Sequence, residues 1–178
     1  MAEARHGPGM APAAADREIV ISRVIDAPRE LVFEAFTDVR HLSQWWGPDR
    51  FTTTTRSFAF HDGGAWDFVM HGPDGTDYQE WISWTEIVPP ERIALRHGES
   101  RDDPNAFEAT LSFATHGNGT LIVMRTVFPS KQLRDRAVAE YDAIEGGEQT
   151  LRNLAAYVAE LTRSDSERNE TTPKGAGS

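Results

Sequence analysis

The feature that most constrains the fold of this chain is a succession of six strand-like segments between residues 51 and 128, joined by short turns. The segments are rich in β-branched and aromatic residues, whereas the residues between them are mainly Gly, Pro, Asn and Asp. The six segments span residues 51–60, 65–71, 77–88, 92–97, 106–115 and 120–128. Because tight turns join antiparallel neighbours, this pattern predicts an antiparallel meander.

The residues before the meander predict one more strand and two short helices. Residues 18–26 are crowded with β-branched side chains, which is typical of a strand. Residues 28–37 have apolar side chains at three- and four-residue spacing, which predicts an amphipathic helix. Asp38 is expected to cap a second short helix that carries Trp45 and Trp46.

The residues after the meander predict two further helices. Ser130 is a suitable N-cap for a helix over residues 131–140, and one apolar stripe predicts a long helix over residues 142–161. This last helix is the only long amphipathic element that could cover one face of a seven-stranded sheet. The predicted fold class is therefore α+β, with the C-terminal helix lying across an antiparallel sheet.

A single domain is predicted over residues 18–163, since no linker long enough to separate two domains interrupts this range. Residues 1–17 are rich in Ala, Pro and Gly, and residues 164–178 are rich in small and polar side chains. Both segments lack hydrophobic periodicity and are predicted to be flexible tails.

Charge and cysteine content exclude several classes of partner and chemistry. With 18 Lys and Arg residues against 28 Asp and Glu residues, the formal net charge of −10 repels nucleic-acid phosphates and anionic lipid. No segment approaches the ~18 consecutive apolar residues of a membrane span. Neither nucleic acid nor a membrane is expected as a partner. The absence of cysteine excludes disulfides, thiolate metal sites and a thiol nucleophile, and it fits a cytoplasmic location.

Several motifs, taken in order, carry a resemblance to a known family. They are ISRVIDAPRELVF from Ile21, WWGP from Trp45, GG at Gly63 with FVMHGPDG downstream, EIVPPER from Glu86, and IEGG from Ile144. Together they make residues 18–162 resemble the START-like superfamily (SRPBCC, Bet v 1-like). Within it, the chain is most similar to the activator of Hsp90 ATPase homologue 1-like branch.

This resemblance implies a helix-grip fold, in which a seven-stranded antiparallel sheet wraps around a long C-terminal helix and two short helices join the first two strands. It also implies a cavity between sheet and helix. It leaves the function open, since START-like cavities serve lipid carriage, hormone sensing, polyketide cyclisation and drug resistance, and related domains make co-chaperone contacts.

Large aromatic side chains are concentrated where the cavity is expected. Flat side chains of this kind line apolar ligand sites well, and packing in the core is the alternative explanation. Trp81 and Trp84 differ in strand parity, and Trp81 is the one predicted to face the cavity, together with Ser83 and Thr85. The predicted ligand-binding residues are Phe36, Trp45, Trp46, Phe58, Trp66, Phe68, Met70, Trp81, His97, Arg125, Gly147 and Leu151.

Three members of this set have a second explanation of their own. His97 shares strand parity with Leu95 and would place an imidazole in the cavity, unless it is exposed or bonded elsewhere. Arg125 is either an anchor for a ligand carboxylate or phenolate, or a partly exposed arginine. Gly147, next to Gly146, either admits a ligand or the sheet to the helix backbone, or it marks a later start of the helix or a tight contact between helix and sheet.

No catalytic residue, metal site or cofactor is predicted. The six histidines form no HxH or HExxH pattern, no serine sits in a GxSxG elbow, and no glycine-rich phosphate loop follows a strand. Glu86 is a strand carboxylate that could serve as an acid or base, and pairing with Arg92 is its structural alternative.

The leading interpretation is a protein that binds a small hydrophobic, aromatic molecule between the sheet and the C-terminal helix. One alternative is a polyketide cyclase/dehydratase-like enzyme that uses the same cavity, with His97 or Glu86 as its acid or base. The other is a co-chaperone-like module, an Hsp90 ATPase activator that acts through its outer surface. The sequence also leaves room for a homodimer and for a chaperone contact.

Overall fold

All seven predicted strands and all four predicted helices are present in the computed structural model, which describes residues 12–170. In chain order they are β1 (Glu18–Ile25), α1 (Arg29–Thr37), α2 (Val39–Trp45), β2 (Thr52–Phe58), β3 (Ala65–His71), β4 (Asp77–Val88), β5 (Arg92–Gly98), β6 (Phe107–His116), β7 (Gly119–Val127), α3 (Lys131–Tyr141) and α4 (Ala143–Glu170). The turn signals of the sequence thus fall between the strands.

The strands form one antiparallel sheet with the order β1-β7-β6-β5-β4-β3-β2. Strands β2 to β7 pair with their neighbours in sequence, as a meander does. β1 joins the far end by pairing with β7, from Glu18 opposite Val127 to Ile25 opposite Thr120. β1 and β2 are therefore the two edges, and α1 and α2 connect them. This is the predicted α+β helix-grip fold.

One face of the sheet is dry because the helices cover it. On β5, Ile93 and Leu95 are buried, and the residues that alternate with them face away from the helices. α4 lies across the dry face and buries Leu151, Leu154 and Val158 completely. Full burial of one such side chain contributes about 1.5–3 kcal/mol, so this contact holds the middle of α4 to the sheet.

Two helices begin at the capping residues that the sequence predicts. The Arg40 backbone N–H donates to Asp38 Oδ1 over 2.8 Å at the start of α2, and the Leu133 N–H donates to Ser130 Oγ over 3.1 Å at the start of α3. Between α3 and α4, Asp142 adopts a φ of 49°, a left-handed conformation that redirects the chain from one helix into the next.

The Asp38 cap gives a first testable prediction. Hydrogen bonds from the Arg40 side chain, and then from its backbone N–H, lower the pKa of Asp38 from 3.8 to about 2. Because the folded pKa lies below the unfolded value, this interaction stabilises the protein above a pH of about 4 and is lost as the pH falls towards 2. An NMR titration should place the Asp38 midpoint near 2, and Arg40→Gln should raise it. An ordinary midpoint in the unmodified protein would contradict the pairing.

The ends of the domain differ from the sequence prediction. Residues Pro12–Arg17 form a 3-10 helix within the segment predicted as an N-terminal tail, and the Arg17 guanidinium donates to the Phe128 carbonyl over 2.7 Å. α4 continues to Glu170, past its predicted end at residue 161 and into the predicted C-terminal tail. The rest of both predicted tails, residues 1–11 and 171–178, lies outside the described residues. Between residues 12 and 170, no helix is long and apolar enough to cross a membrane.

Candidate ligand-binding cavity

An open cavity of about 800 Å³ lies between the sheet and the helices. Its floor is the dry face of the sheet, its roof is α3 with the first turns of α4, and residues 46–51, which follow α2, close one side. Ligand sites for small organic molecules have volumes of roughly 300–1,000 Å³, so the space is of the right size. The larger apolar side chains that line it are Ile19, Ile21, Trp46, Phe51, Met70, Leu95, Phe107, Leu111, Met124, Phe128 and Leu133.

Small residues on the helices explain why this space is left between helix and sheet. α3 has no buried residue, and it presents Ala137 to the cavity. At the start of α4, a Cβ on Gly147 would lie 2.3 Å from Ile21 Cδ1 and 3.3 Å from Met124 Cε. The helix backbone therefore approaches β1 and β7 closely at this point, which supports the tight-contact explanation for Gly147. Gly147 also lines the cavity.

A hydrogen-bonded pair of ionisable side chains, Glu80 and His97, lies on the cavity wall. His97 Nε2 is 2.7 Å from Glu80 Oε2, across the neighbouring strands β4 and β5. The two side chains are only 21% and 13% exposed. Aromatic rings surround the imidazole, with centroids 4.9 Å away for Phe107 and 6.3 Å away for Trp46. The wall thus combines an apolar surface with one polar pair, which can orient a ligand and exchange a proton with it.

Four predicted site residues line this cavity together. Trp46 and Met70 supply apolar surface, His97 supplies the polar group, and Gly147 supplies backbone. They come from the end of α2, from β3, from β5 and from α4, so only the folded chain brings them together. All four lie on the wall of the cavity between the sheet and the helices.

Five other predicted residues are in the core instead, and they do not line this cavity. They are Phe36, Trp45, Trp66, Phe68 and Leu151, each no more than 3% exposed. The ring centroids of Trp66 and Phe68 are 3.6 Å apart in a stacked arrangement, and the indole N–H of Trp45 donates to the Ala35 carbonyl over 3.1 Å. Phe58 also lies away from the cavity, against Phe60 and Trp84. Core packing, the alternative explanation, holds for all of them.

The prediction that Trp81 faces the cavity is wrong. Tyr78 and Glu80 on β4 line the cavity, and strand alternation continues this face to Ile82 and Trp84, which are fully buried. Trp81 therefore lies on the opposite face of the sheet, where its N–H donates to Ser83 Oγ and the Arg101 guanidinium covers its ring at 5.0 Å. A register shift between Trp84 and Glu86 interrupts the alternation, so the parity of β4 cannot be extrapolated from its far end.

Arg125 is also outside the cavity, which corrects its predicted role as a ligand anchor. Its neighbours on β7, Met124 and Thr126, face the cavity, so Arg125 faces the other way and pairs with Glu18 over 2.7 Å. Glu86 likewise forms an ion pair with Arg92 on the exposed part of the β4–β5 hairpin. Of the two acid–base candidates weighed from the sequence, only His97 is in the cavity.

The sequence interpretation missed Tyr78, Glu80 and Phe107 as cavity residues. For Tyr78 and Glu80 a signal existed, since they alternate with the same parity as Ile82 and Trp84. The pairing of Glu80 with His97 depends on the register between β4 and β5, which the hairpin length alone does not fix because of the register shift. Within residues 12–170, no group of three or more His, Asp or Glu side chains could hold a metal ion.

Acidic side chains dominate the polar part of the cavity lining. Seven carboxylates line it against two arginines. The carboxylates belong to Asp49, Glu80, Glu99, Asp103, Glu140, Asp142 and Glu145, and the arginines are Arg50 and Arg136. Arg136 donates to Glu140 over 2.9 Å, so its charge is already balanced. This excess of negative charge opposes the entry of an anionic ligand.

A sheet that grips a C-terminal helix, with an open cavity between them, defines a protein of the helix-grip class, the fold of ligand-binding and cyclase-like proteins. The chain belongs to the family described as activator of Hsp90 ATPase homolog 1-like proteins, which matches residues 26–159. The predicted superfamily and branch are therefore confirmed. A search of curated protein sequences finds no match to the chain.

Solved structures of bacterial proteins share the fold. A solution NMR structure of a protein from Arthrobacter aurescens has 25% sequence identity and a TM-score of 0.74, covering 83% of this chain and 88% of the other. A crystal structure from Chromobacterium violaceum has 25% identity and a TM-score of 0.70, covering 80% and 96% of the two chains. One from Nitrosomonas europaea has 18% identity and a TM-score of 0.75, covering 84% and 98%, and supports the fold alone.

Proposed function

We propose that the protein binds a small, hydrophobic, aromatic molecule in the cavity between the sheet, α3 and the start of α4. The observation that carries this proposal is the cavity of about 800 Å³, with large apolar side chains on its walls and the half-buried Glu80–His97 pair on the sheet side. A cavity that combines apolar walls with a few convergent polar groups is typical of ligand sites.

The lining supports an aromatic ligand without a negative charge. Trp46 and Phe107 offer ring faces and edges to a flat molecule, and the thioether of Met70 adapts to its outline. His97 supplies a polar partner for one carbonyl, hydroxyl or amine group of the ligand. The carboxylates of the lining disfavour a carboxylate or phosphate on the ligand.

N-phenyl-1-naphthylamine, a neutral aromatic dye that fluoresces in apolar surroundings, tests this proposal. Saturable binding of one dye per chain is expected. Trp46→Ala should raise its Kd about tenfold, because it removes aromatic surface worth ~1.4 kcal/mol or more from the cavity wall. Trp81→Ala is the matched control, since this tryptophan faces away from the cavity and should leave Kd unchanged.

Two results would contradict the proposal: no saturable binding of the dye, or equal effects of the two tryptophan substitutions. Native mass spectrometry of the protein as purified complements the dye, because a reproducible small-molecule companion would identify the natural ligand class directly.

The partners and the location of the protein remain proposals from the sequence. We propose a cytoplasmic location, and a homodimer and a chaperone contact stay predictions. The chaperone contact would use the outer surface of the protein rather than the cavity. Its direct test is whether the protein stimulates a purified Hsp90-type ATPase.

A further inference from the structure

Simple binding of a hydrophobic molecule does not require the Glu80–His97 pair. Withdrawing a carboxylate from water carries a cost, which a purely apolar wall would avoid. The chain has another histidine–carboxylate pair, His71 with Asp77, at 2.7 Å, but those side chains are 37% and 59% exposed on a hairpin. Of these two histidine–carboxylate pairs in residues 12–170, Glu80–His97 is the one that lines the cavity, at 21% and 13% exposure.

The geometry of the pair determines which imidazole nitrogen is available to a ligand. An ionised carboxylate only accepts hydrogen bonds, so the proton between Glu80 Oε2 and His97 Nε2 belongs to the imidazole. In a neutral imidazole the lone pair is then on Nδ1. No hydrogen-bond partner of Nδ1 is found within the described part of the chain, residues 12–170. Glu80 therefore fixes His97 as a base with its acceptor nitrogen unoccupied.

We propose that His97, positioned by Glu80, is a general base that removes a proton from the carbon next to the carbonyl group of a neutral aromatic ketone bound in the cavity. The inference rests on the proposed function, because the ketone occupies the same cavity as the aromatic ligand. A neutral imidazole is a base of moderate strength, so it can remove a carbon-bound proton that a neighbouring electron-withdrawing group such as a carbonyl acidifies. The aromatic walls favour an aromatic compound, and the negative lining disfavours an anionic one.

The proton transfer balances without a further reactant. The α-carbon loses a proton to His97 Nδ1, the C–H electron pair becomes the C=C bond of an enolate, and the carbonyl π electrons move to oxygen. The imidazolium that forms donates from Nε2 to the Glu80 carboxylate, whose negative charge stabilises it. Return of the proton to the same carbon regenerates the ketone and the neutral imidazole. In D₂O, exchange of the imidazolium proton with solvent leaves deuterium on that carbon.

Tyr78 is the candidate donor for the enolate oxygen. It lies two residues before Glu80 on the same face of β4, and it lines the cavity. Its hydroxyl has no hydrogen-bond partner within residues 12–170, although its ring lies 6.1 Å from that of Phe51. A phenolic O–H that strengthens its hydrogen bond as charge develops on oxygen lowers the barrier to enolisation.

Deuterium exchange of 2-tetralone, a neutral bicyclic aromatic ketone, tests the proposal. ¹H NMR in D₂O follows the loss of its α-protons, and displacement of N-phenyl-1-naphthylamine reports its binding. The protein should accelerate exchange over buffer, and His97→Gln should lower the protein-catalysed rate about 100-fold, the usual contribution of a general base. His71→Gln, which removes the histidine of the exposed pair, should leave the rate unchanged.

Glu80→Gln tests the positioning role separately. The amide no longer requires the tautomer with its proton on Nε2, so the exchange rate at saturating 2-tetralone should fall about tenfold or more. The affinity for 2-tetralone, measured by displacement of the dye, should stay the same. Damage to the cavity wall would instead weaken this affinity. Tyr78→Phe should lower the saturated rate as well. If His97→Gln fails to fold, as judged by circular dichroism, Glu80→Gln decides.

The outcomes separate this proposal from the proposed function. If the dye does not bind, both proposals fail. If the dye binds but 2-tetralone does not displace it, the binding function stands and the general base is overturned. The same holds if 2-tetralone displaces the dye but its deuterium exchange is no faster than in buffer. Full exchange activity in His97→Gln also overturns the general base. If His97→Gln does not fold, full exchange activity in Glu80→Gln overturns it.

Discussion

Trp66→Ala should lower the free energy of unfolding by about 3–5 kcal/mol, the cost of truncating a fully buried tryptophan. Trp66 is fully buried, stacks on Phe68 with 3.6 Å between ring centroids, and meets the edge of Trp46 at 5.8 Å. Its indole N–H donates to Thr55 Oγ1 over 3.0 Å, and that hydrogen bond is lost with the ring. The cavity left behind has rigid sheet on one side, so it cannot collapse.

Urea denaturation followed by circular dichroism measures this loss, and Trp81→Ala is the matched control. Trp81 is half-buried on the opposite face of the sheet, and its main partner is the Arg101 guanidinium at 5.0 Å, an interaction worth about 0.5–1 kcal/mol. A Trp66→Ala variant no less stable than Trp81→Ala would contradict the assignment of Trp66 to the core.

The contrast between these tryptophans shows what the sequence can and cannot predict about the site. Turn signals and alternation place all seven strands, because both are local properties of the chain. The residue type correctly indicates that Trp46 and Trp66 lie between the sheet and the helices. Residue type does not show that Trp46 lines the cavity whereas Trp66 is in the core, because both environments favour large apolar side chains. The two residues differ only in how deeply they are buried.

Two other parts of the site depend on interactions between distant residues. On β4 the alternation is regular from Tyr78 to Trp84, but the register shift between Trp84 and Glu86 interrupts it, so the residues near the hairpin do not indicate which of the two tryptophans faces the helices. The pairing of Glu80 with His97 depends on the same register. The cavity volume depends on where α3 lies over the sheet, which follows from the left-handed turn at Asp142 and the close contact of Gly147 with β1. Local sequence patterns do not predict the strand register or the position of α3, because both depend on contacts between residues far apart in the chain.

Ala137→Trp should abolish ligand binding, and it is the variant that tests the cavity with the least change elsewhere. Ala137 lies on α3 and lines the cavity, so an indole at this position projects into the space that a ligand needs. The Kd for N-phenyl-1-naphthylamine should rise at least about 100-fold, a loss of ~2.7 kcal/mol or more. Because Ala137 is only partly buried where it packs against the core and lines the open cavity, the added ring has space to enter, and the fold should persist.

Ala139→Trp provides the control for this substitution on the same helix. Ala139 is exposed and does not line the cavity, so the same change in composition and helix propensity leaves the binding space untouched. Its Kd should match that of the unmodified protein, with similar unfolding temperatures for both variants. The pair therefore separates a ligand held beneath α3 from one bound on the outer surface. Equal affinities in the two variants would place the dye outside the cavity, and the proposed function would fail with the site intact.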